Sequence, residues 1–315
     1  MSALVAVTGA TGFIGQHLIA MLAANGVRQR LLVRRLPALP ATSSPEAIEL
    51  VVGDLGDKAA LRRLVDGADV VIHLAGAIKA VHRADFFRFN AQAVHDLLAA
   101  AAAVGGTARV ILVSSLAARA PGLSDYAASK RAGEDCLVAA APAPGWLAVR
   151  APAVYGPGDR ETLAFFRCVK RGLAPVPGAG RGRLSLIHVG DLCRVLLAAV
   201  SRPTQSGVYE IDDGTAAGYS LADMAGAAAG VLGSRPRTIG VPRALMTGVA
   251  GVQQMVARLT GRPAILSLGK VREIFHDDWV VTDRRLMQAL GIVPNFDLRL
   301  GFEDTILWYL RHRWL

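Results

Sequence analysis

Residues 3–7 form a short apolar run that leads directly into Thr8-Gly9-Ala10-Thr11-Gly12-Phe13-Ile14-Gly15, and residues 13–22 then carry apolar side chains at helical spacing. A β-compatible run, closely spaced glycines and an amphipathic segment commit the start of the chain to a strand, a tight turn and a helix. Gly9 suits the turn, Gly12 lets the backbone approach a ligand, and Gly15 allows the helix to pack close on the strand. The amides around Thr11, Gly12, Phe13 and Ile14 then sit at a helix N-terminus. There a nucleotide pyrophosphate is held by hydrogen bonds and by the helix dipole.

The same rhythm continues. Strands are expected at residues 5–8, 30–34, 49–52, 70–74, 109–114 and 146–150, with helical patterns between them at 14–24, 58–65, 84–104 and 126–139. Apolar strands alternating with helices imply a parallel sheet covered on both faces. The expected fold is α/β: a Rossmann-type, doubly wound parallel sheet with a smaller, mostly helical C-terminal substrate region. Residues 1–154 are assigned to the dinucleotide-binding domain, with 184–212 returning to it. Residues 155–183 and 213–315 are assigned to the substrate-binding region.

In the fourth expected helix, Tyr126 and Lys130 stand four residues apart, one above the other. A phenol with its ordinary pKa of about 10 is a poor proton carrier at neutral pH, and an adjacent ammonium favours its phenolate. A serine at the end of the preceding strand, Ser114 or Ser115, can hydrogen-bond a reacting oxygen. Such a set moves a proton while a hydride passes between a substrate carbon and a nicotinamide. The second strand ends in Arg34-Arg35, where an acid would bind a ribose 2′-hydroxyl and arginine accommodates a 2′-phosphate. NADP(H) is therefore the preferred cofactor, with NAD(H) left open.

The glycine spacing Gly-x-x-Gly-x-x-Gly, the serine-ended strand and Tyr126-x-x-x-Lys130 resemble the extended branch of the short-chain dehydrogenase/reductase superfamily, the epimerase/dehydratase-like family. Its stations run in order to about Leu192, through Arg150-Ala151-Pro152-Ala153-Val154-Tyr155-Gly156-Pro157-Gly158 and His188-Val189-Gly190-Asp191. The resemblance implies Ser115, Tyr126, Lys130 and Asn90 at the catalytic centre. It implies Asp54 and Leu55 at the adenine, Leu74, Ala75 and Gly76 against the cofactor, and Pro152 and Val154 beside the nicotinamide. Asn90 could equally be a solvent-facing helix residue, and Asp54 a turn aspartate capping the next helix. His73, inside an apolar strand, reads as a core residue.

The family's dehydratases carry an acidic pair just after the catalytic hydroxyl. Leu116-Ala117 stands there, so dehydration is rejected. A reductase or dehydrogenase acting at a secondary alcohol or ketone is the expected function. A nucleotide-sugar epimerase is the alternative, and a non-catalytic NADP-binding sensor or structural subunit is the alternative from another class. The substrate is a small molecule, a sugar nucleotide or a hydrophobic ketone or alcohol.

Three cysteines without C-x-x-C spacing fit a reduced, cytoplasmic protein with no metal site. The net charge of +10 is dispersed and accompanies no recognition motif, so nucleic acid is not expected; a homodimer stays open. Two apolar stripes close the chain. Leu245, Val249, Val252, Met255, Val256 and Leu259 read first as core and second as pocket lining. Ile306, Leu307, Leu310 and Trp314 read as the buried face of a docked terminal helix, in preference to a membrane-surface helix.

Overall fold

The computed structural model describes residues 3–35, 47–106, 108–202 and 205–315. Seven strands form the main sheet: β1 (Leu4–Thr8), β2 (Arg28–Val33), β3 (Ile48–Val52), β4 (Val70–His73), β5 (Arg109–Ser115), β6 (Trp146–Ala151) and β11 (Gly207–Glu210). Their spatial order is β11-β6-β5-β4-β1-β2-β3. β1 pairs in parallel with both β2 and β4, and the pairs β2–β3 and β4–β5 are parallel too. The order reverses between β1 and β4, the switch point at which doubly wound sheets bind ligands beyond the carboxyl ends of their strands.

All of β1 is buried, as a strand covered on both faces must be. One apolar layer sets Ala6, Leu32, Val51 and Val71 against Leu61 and Leu64 of α2 (Lys58–Val65) and Leu97 of α4 (Ala93–Ala103). A second sets Val110, Leu112 and Ala148 against Val94, Leu98 and Leu137, the last from α5 (Asp125–Ala140). The segment expected as one helix over 84–104 is divided. α3 (Arg83–Phe87) runs through a π-helical turn, Arg88–Gln92, into α4. Such turns carry one extra residue per turn and collect at functional sites.

Residues 1–150 and 193–209 form one compact unit; residues 151–192 and 210–315 form the other. The second unit contains three small sheets: β7 (Ala153–Tyr155) with β10 (Leu186–His188), β8 (Leu173–Pro177) with β13 (Arg237–Val241), and β9 (Arg183–Leu184) between β12 (Tyr219–Ser220) and β14 (Asp278–Trp279). β7, β9, β10, β12 and β14 have two or three residues each, too few for a readable alternation, while β8 is interrupted by Pro175 and Pro177 and β13 is mostly exposed, so the region looked mostly helical. Its core is aromatic: Phe302 meets Tyr155 and Phe166 edge to face, with centroids 5.2 and 4.9 Å apart.

The structure corrects both terminal stripes. In α12 (Leu298–Arg311) the buried face is Phe302, Thr305, Ile306 and Tyr309, whereas Leu307 and Leu310 are exposed and Trp314 is half-buried against Tyr309. The helix is docked, through a face rotated from the expected one. In α9 (Arg243–Thr260) the correction is larger: the buried residues are Ala250 and Ala257, and all six large apolar side chains expected as core are exposed.

Candidate active site

The ends of β1 and β4 are tied together. Thr8 Oγ1 lies 2.8 Å from His73 Nδ1 and accepts a hydrogen bond from the Ala75 amide at 3.3 Å. Gly9 follows with φ +75°, and a Cβ on it would stand 2.7 Å from the Ala75 nitrogen. A Cβ on Gly15 would run into the Gly9 carbonyl oxygen and come 2.8 Å from Ala10 Cα. Gly12 is different: it is exposed, and among the described residues a Cβ on it would meet only the Gly9 oxygen within 4 Å, at 3.3 Å. It is also the N-cap of α1 (Phe13–Ala24), which has no side-chain cap and no acid in its first turn. The helix therefore offers uncapped amides to an anion, with Thr11 exposed and Phe13 and Ile14 half-buried beside it. A nucleotide pyrophosphate fits this cradle by chemistry and by space.

Arg34 and Arg35 are exposed where β2 ends. Asp54 is exposed, and its carboxylate accepts the Gly56 amide at 2.8 Å, while the helix cap expected of it is made by Asp57 on the Ala59 and Ala60 amides. Leu55 packs on the apolar layer beneath.

Asn90 does not face solvent. It is buried in the π-helical turn, where Nδ2 donates to the Ala77 carbonyl and to Ser129 Oγ, each at 2.9 Å, and Oδ1 accepts the Ala77 amide at 2.8 Å. One side chain thus pins the loop after β4, which carries Leu74, Ala75 and Gly76. A Cβ on Gly76 would stand 2.7 Å from Asn90 Oδ1 and 4.0 Å from Lys130 Nζ. On the other side, α5 approaches so closely at Gly133 that any Cβ there would strike the Asn90 carbonyl oxygen.

Ser124 caps α5 by accepting the Ala127 amide at 2.9 Å, which places Tyr126 in the first turn. The Tyr126 ring is half-buried and meets Phe86 edge-on at 6.3 Å. One turn later Lys130 is buried, its Nζ donating to the Val113 carbonyl at 2.8 Å. Burial lowers its pKa from 10.5 to about 8, against the opposing pull of the Glu134 carboxylate. Burial and the Lys130 charge together lower His73 to about 3, so this core histidine is neutral at any working pH.

The two serines at the end of β5 point to opposite faces, as successive strand residues must. Ser114 is buried and spends its hydroxyl proton on Glu134 Oε1 at 2.6 Å. Ser115 is half-buried and its Oγ accepts the Ala117 amide at 3.2 Å, an arrangement that uses a lone pair and not its proton. Glu134 also holds Arg150 through two nitrogens, at 2.7 and 2.9 Å. In the second unit Pro152 and Val154 are half-buried, and Val154 is in register with Ile187 between β7 and β10.

The structure thus gathers Gly76, Asn90 and Lys130 within a few ångströms. It adds Thr8, Ser129 and Glu134, which the sequence reading passed over. Glu134 alone left a signal there, standing four residues past Lys130 on the same helical face.

Residues 5–212 match the family described as the NAD dependent epimerase/dehydratase family. The chain is 44% identical over 311 residues to the ceramide reductase of Caulobacter vibrioides, covering 99% of this chain and 96% of that protein. It is 25% identical over 304 residues to the mitochondrial NADH dehydrogenase (ubiquinone) 1 alpha subcomplex subunit 9 of Arabidopsis thaliana, covering 92% and 74% of the two chains. The solved structure of MoeE5 in complex with UDP-glucuronic acid and NAD superposes with a TM-score of 0.75 at 25% identity, over 99% of this chain and all of that one. With its glycine cradle at the switch point and a family match spanning most of its length, the chain belongs to the NAD dependent epimerase/dehydratase family of enzymes.

Proposed function

We propose that this protein is an NADP(H)-preferring reductase that interconverts a ketone and a secondary alcohol on a hydrophobic, ceramide-type lipid. The observation that carries the chemistry is the buried ammonium of Lys130, one helical turn from Tyr126 and beside the pinned loop after β4. The substrate class rests on the ceramide reductase relative, similar along almost the whole chain.

The bound nicotinamide supplies or accepts the hydride. Tyr126 gives its phenolic proton to the carbonyl oxygen as that oxygen gains charge, and takes it back in the oxidative direction. Ser115 donates its free hydroxyl proton to the same oxygen and orients it. Lys130, held on the Val113 carbonyl, lowers the cost of the phenolate and reaches toward the cofactor ribose. Asn90 keeps the Gly76 loop in place and Gly133 keeps α5 close. Arg34, helped by Arg35, pairs with a 2′-phosphate in a charge-assisted, bidentate contact.

One observation weighs against the nucleotide-sugar epimerase. Such enzymes often place a diphosphate-binding arginine four residues before the histidine of the His-Val-x-Asp segment, where this chain has Leu184; Arg183, one residue earlier, has its guanidinium on the Ala217 and Gly218 carbonyls at 2.6 and 2.8 Å. The likeness to a respiratory-complex subunit favours a second reading, a structural subunit that holds nucleotide without turnover.

The test follows NADPH absorbance with a panel of carbonyl compounds containing the keto form of a ceramide-type lipid and nucleotide sugars. Turnover is expected on the lipid ketone. Tyr126→Phe should lower kcat about 10²–10⁴-fold and leave NADPH affinity nearly unchanged. Arg34→Asp should reverse the preference for NADPH over NADH. Full activity in the Phe variant removes Tyr126 from the mechanism; equal affinity of the unmodified protein for the two nucleotides removes the role of Arg34. Tight nucleotide binding with no turnover on any member selects the structural subunit.

A further inference from the structure

Helix α9 is amphipathic the wrong way round for a docked helix. Leu245, Val249, Val252, Val256 and Leu259 recur at alternating intervals of four and three residues. At 100° per residue they occupy an arc of about 80° along one side of the helix. That side is bare: the five residues are 59, 43, 60, 47 and 81% exposed, and Met255 beside them is 60% exposed. The helix is held instead through its opposite face, where the buried residues are the small Ala250 and Ala257. Past its end Ile265 is 79% exposed. A helix normally buries such a stripe against its own domain.

The charge around this stripe is as one-sided as its hydropathy. From residue 224 to residue 272 the sequence has no Asp or Glu, but it has seven Arg and Lys, among them Arg243, Arg258, Arg262 and Lys270. All seven are exposed; the run ends at Glu273, which pairs with Lys270 at 3.1 Å and leaves six basic residues with no acid inside the run. Elsewhere the chain mixes its charges, with 35 basic residues against 25 acidic in total. The local excess therefore marks this surface and not the protein as a whole.

We infer that α9 is a bilayer-surface helix: it lies in the plane of an anionic membrane, with the Leu245–Leu259 stripe at the acyl boundary and the surrounding arginines among the lipid phosphates. An exposed aliphatic stripe on a helix whose other side carries arginines, here Arg243 and Arg258, and no acid is the composition of interfacial helices, and anionic headgroups attract such basic surfaces strongly. A second copy of the chain fits less well, because pairing two such faces brings like charges together. Among the described residues no helix is long and apolar enough to cross a membrane. The inference rests on α9 and its charges alone and holds whatever the substrate of the enzyme is.

The test is flotation of the full-length protein with vesicles of phosphatidylcholine, pure or with about one third phosphatidylglycerol, at low and high salt. Partition onto the mixed vesicles is expected to be at least about tenfold stronger than onto neutral ones and to fall as salt screens the arginines. The double variant Val252→Asp/Leu259→Asp changes two exposed positions and should lose at least about tenfold of that partition with its NADPH affinity unaltered. In the unmodified protein, hydrogen exchange across residues 243–260 should slow on adding mixed vesicles, a readout that needs no variant. Absence of flotation at low salt, or flotation and exchange that ignore the vesicles' charge and the double variant, overturns the inference. A dimer that the double variant splits, without vesicle binding, also overturns it and assigns the stripe to a second copy.

Discussion

Replacing Glu134 tests how the site is held. Its carboxylate is buried under α5, accepts the Ser114 hydroxyl at 2.6 Å, and binds Arg150 at 2.7 and 2.9 Å. Glu134→Ala removes the carboxylate that pairs with a guanidinium whose own side chain is 15% exposed. Breaking a buried ion pair from one side costs about 3–5 kcal/mol, and the residual solvent contact of Arg150 places this case near the lower end. Urea unfolding followed by circular dichroism should therefore show a loss of about 3 kcal/mol. Glu134→Leu/Arg150→Met removes both charges, and should be less destabilised than the two single changes added together by about 1–3 kcal/mol. There is a second readout. The Glu134 charge opposes the burial that brings Lys130 to about 8, so without it the lysine loses its proton at lower pH. In the unmodified enzyme, activity that needs the charged ammonium should fall as pH rises through about 8. In Glu134→Gln that limb should move toward neutrality. Additive stabilities together with an unmoved limb would refute the coupling of this buried pair to Lys130.

Two further outcomes follow from the packing at the switch point. Gly15→Ala puts a Cβ into the Gly9 carbonyl and 2.8 Å from Ala10 Cα, so α1 must draw back from β1; calorimetry should show NADPH affinity reduced at least about tenfold, and unaltered affinity would count against the cradle. Between pH 6.5 and about 3 the unfolded chain protonates His73 while the folded chain keeps it neutral, so the unfolded state binds more protons and stability falls as pH falls, by up to about 1.4 kcal/mol per unit. His73→Gln should flatten that slope in acid unfolding, and an unchanged slope would place the acid sensitivity elsewhere.

The first unit was legible because each of its parts is local and repeated. Strands long enough to show burial on both faces, glycines at fixed offsets, and a Tyr-Lys pair one turn apart leave their mark within a few residues of sequence. What escaped was set by packing between distant segments. Asn90 looked as much like a solvent-facing helix residue as an active-site one, because nothing near it in sequence reveals that Ala77 and Ser129 satisfy its amide. The π-helical turn that aims it inward is one extra residue in a pattern that otherwise reads as continuous helix. Side-chain chemistry alone leaves Ser114 and Ser115 equivalent; resemblance selects Ser115, and the structure adds that Glu134 takes up the Ser114 hydroxyl.

The two apolar stripes show a limit of another kind. Periodicity states that a helix has an apolar face; it does not state what covers that face. In α12 the cover is the aromatic core of the second unit, and the helix turns so that Phe302, Ile306 and Tyr309 meet it. In α9 the helix is anchored by alanines, whose small side chains let it lie close to its support, and the larger side chains are left outside. A sequence with that stripe and mixed charges around it would point to a missing piece of core. The same stripe inside a run of residues without one carboxylate is suited to a surface that supplies both the apolar cover and the negative charge, and an anionic bilayer supplies both at once.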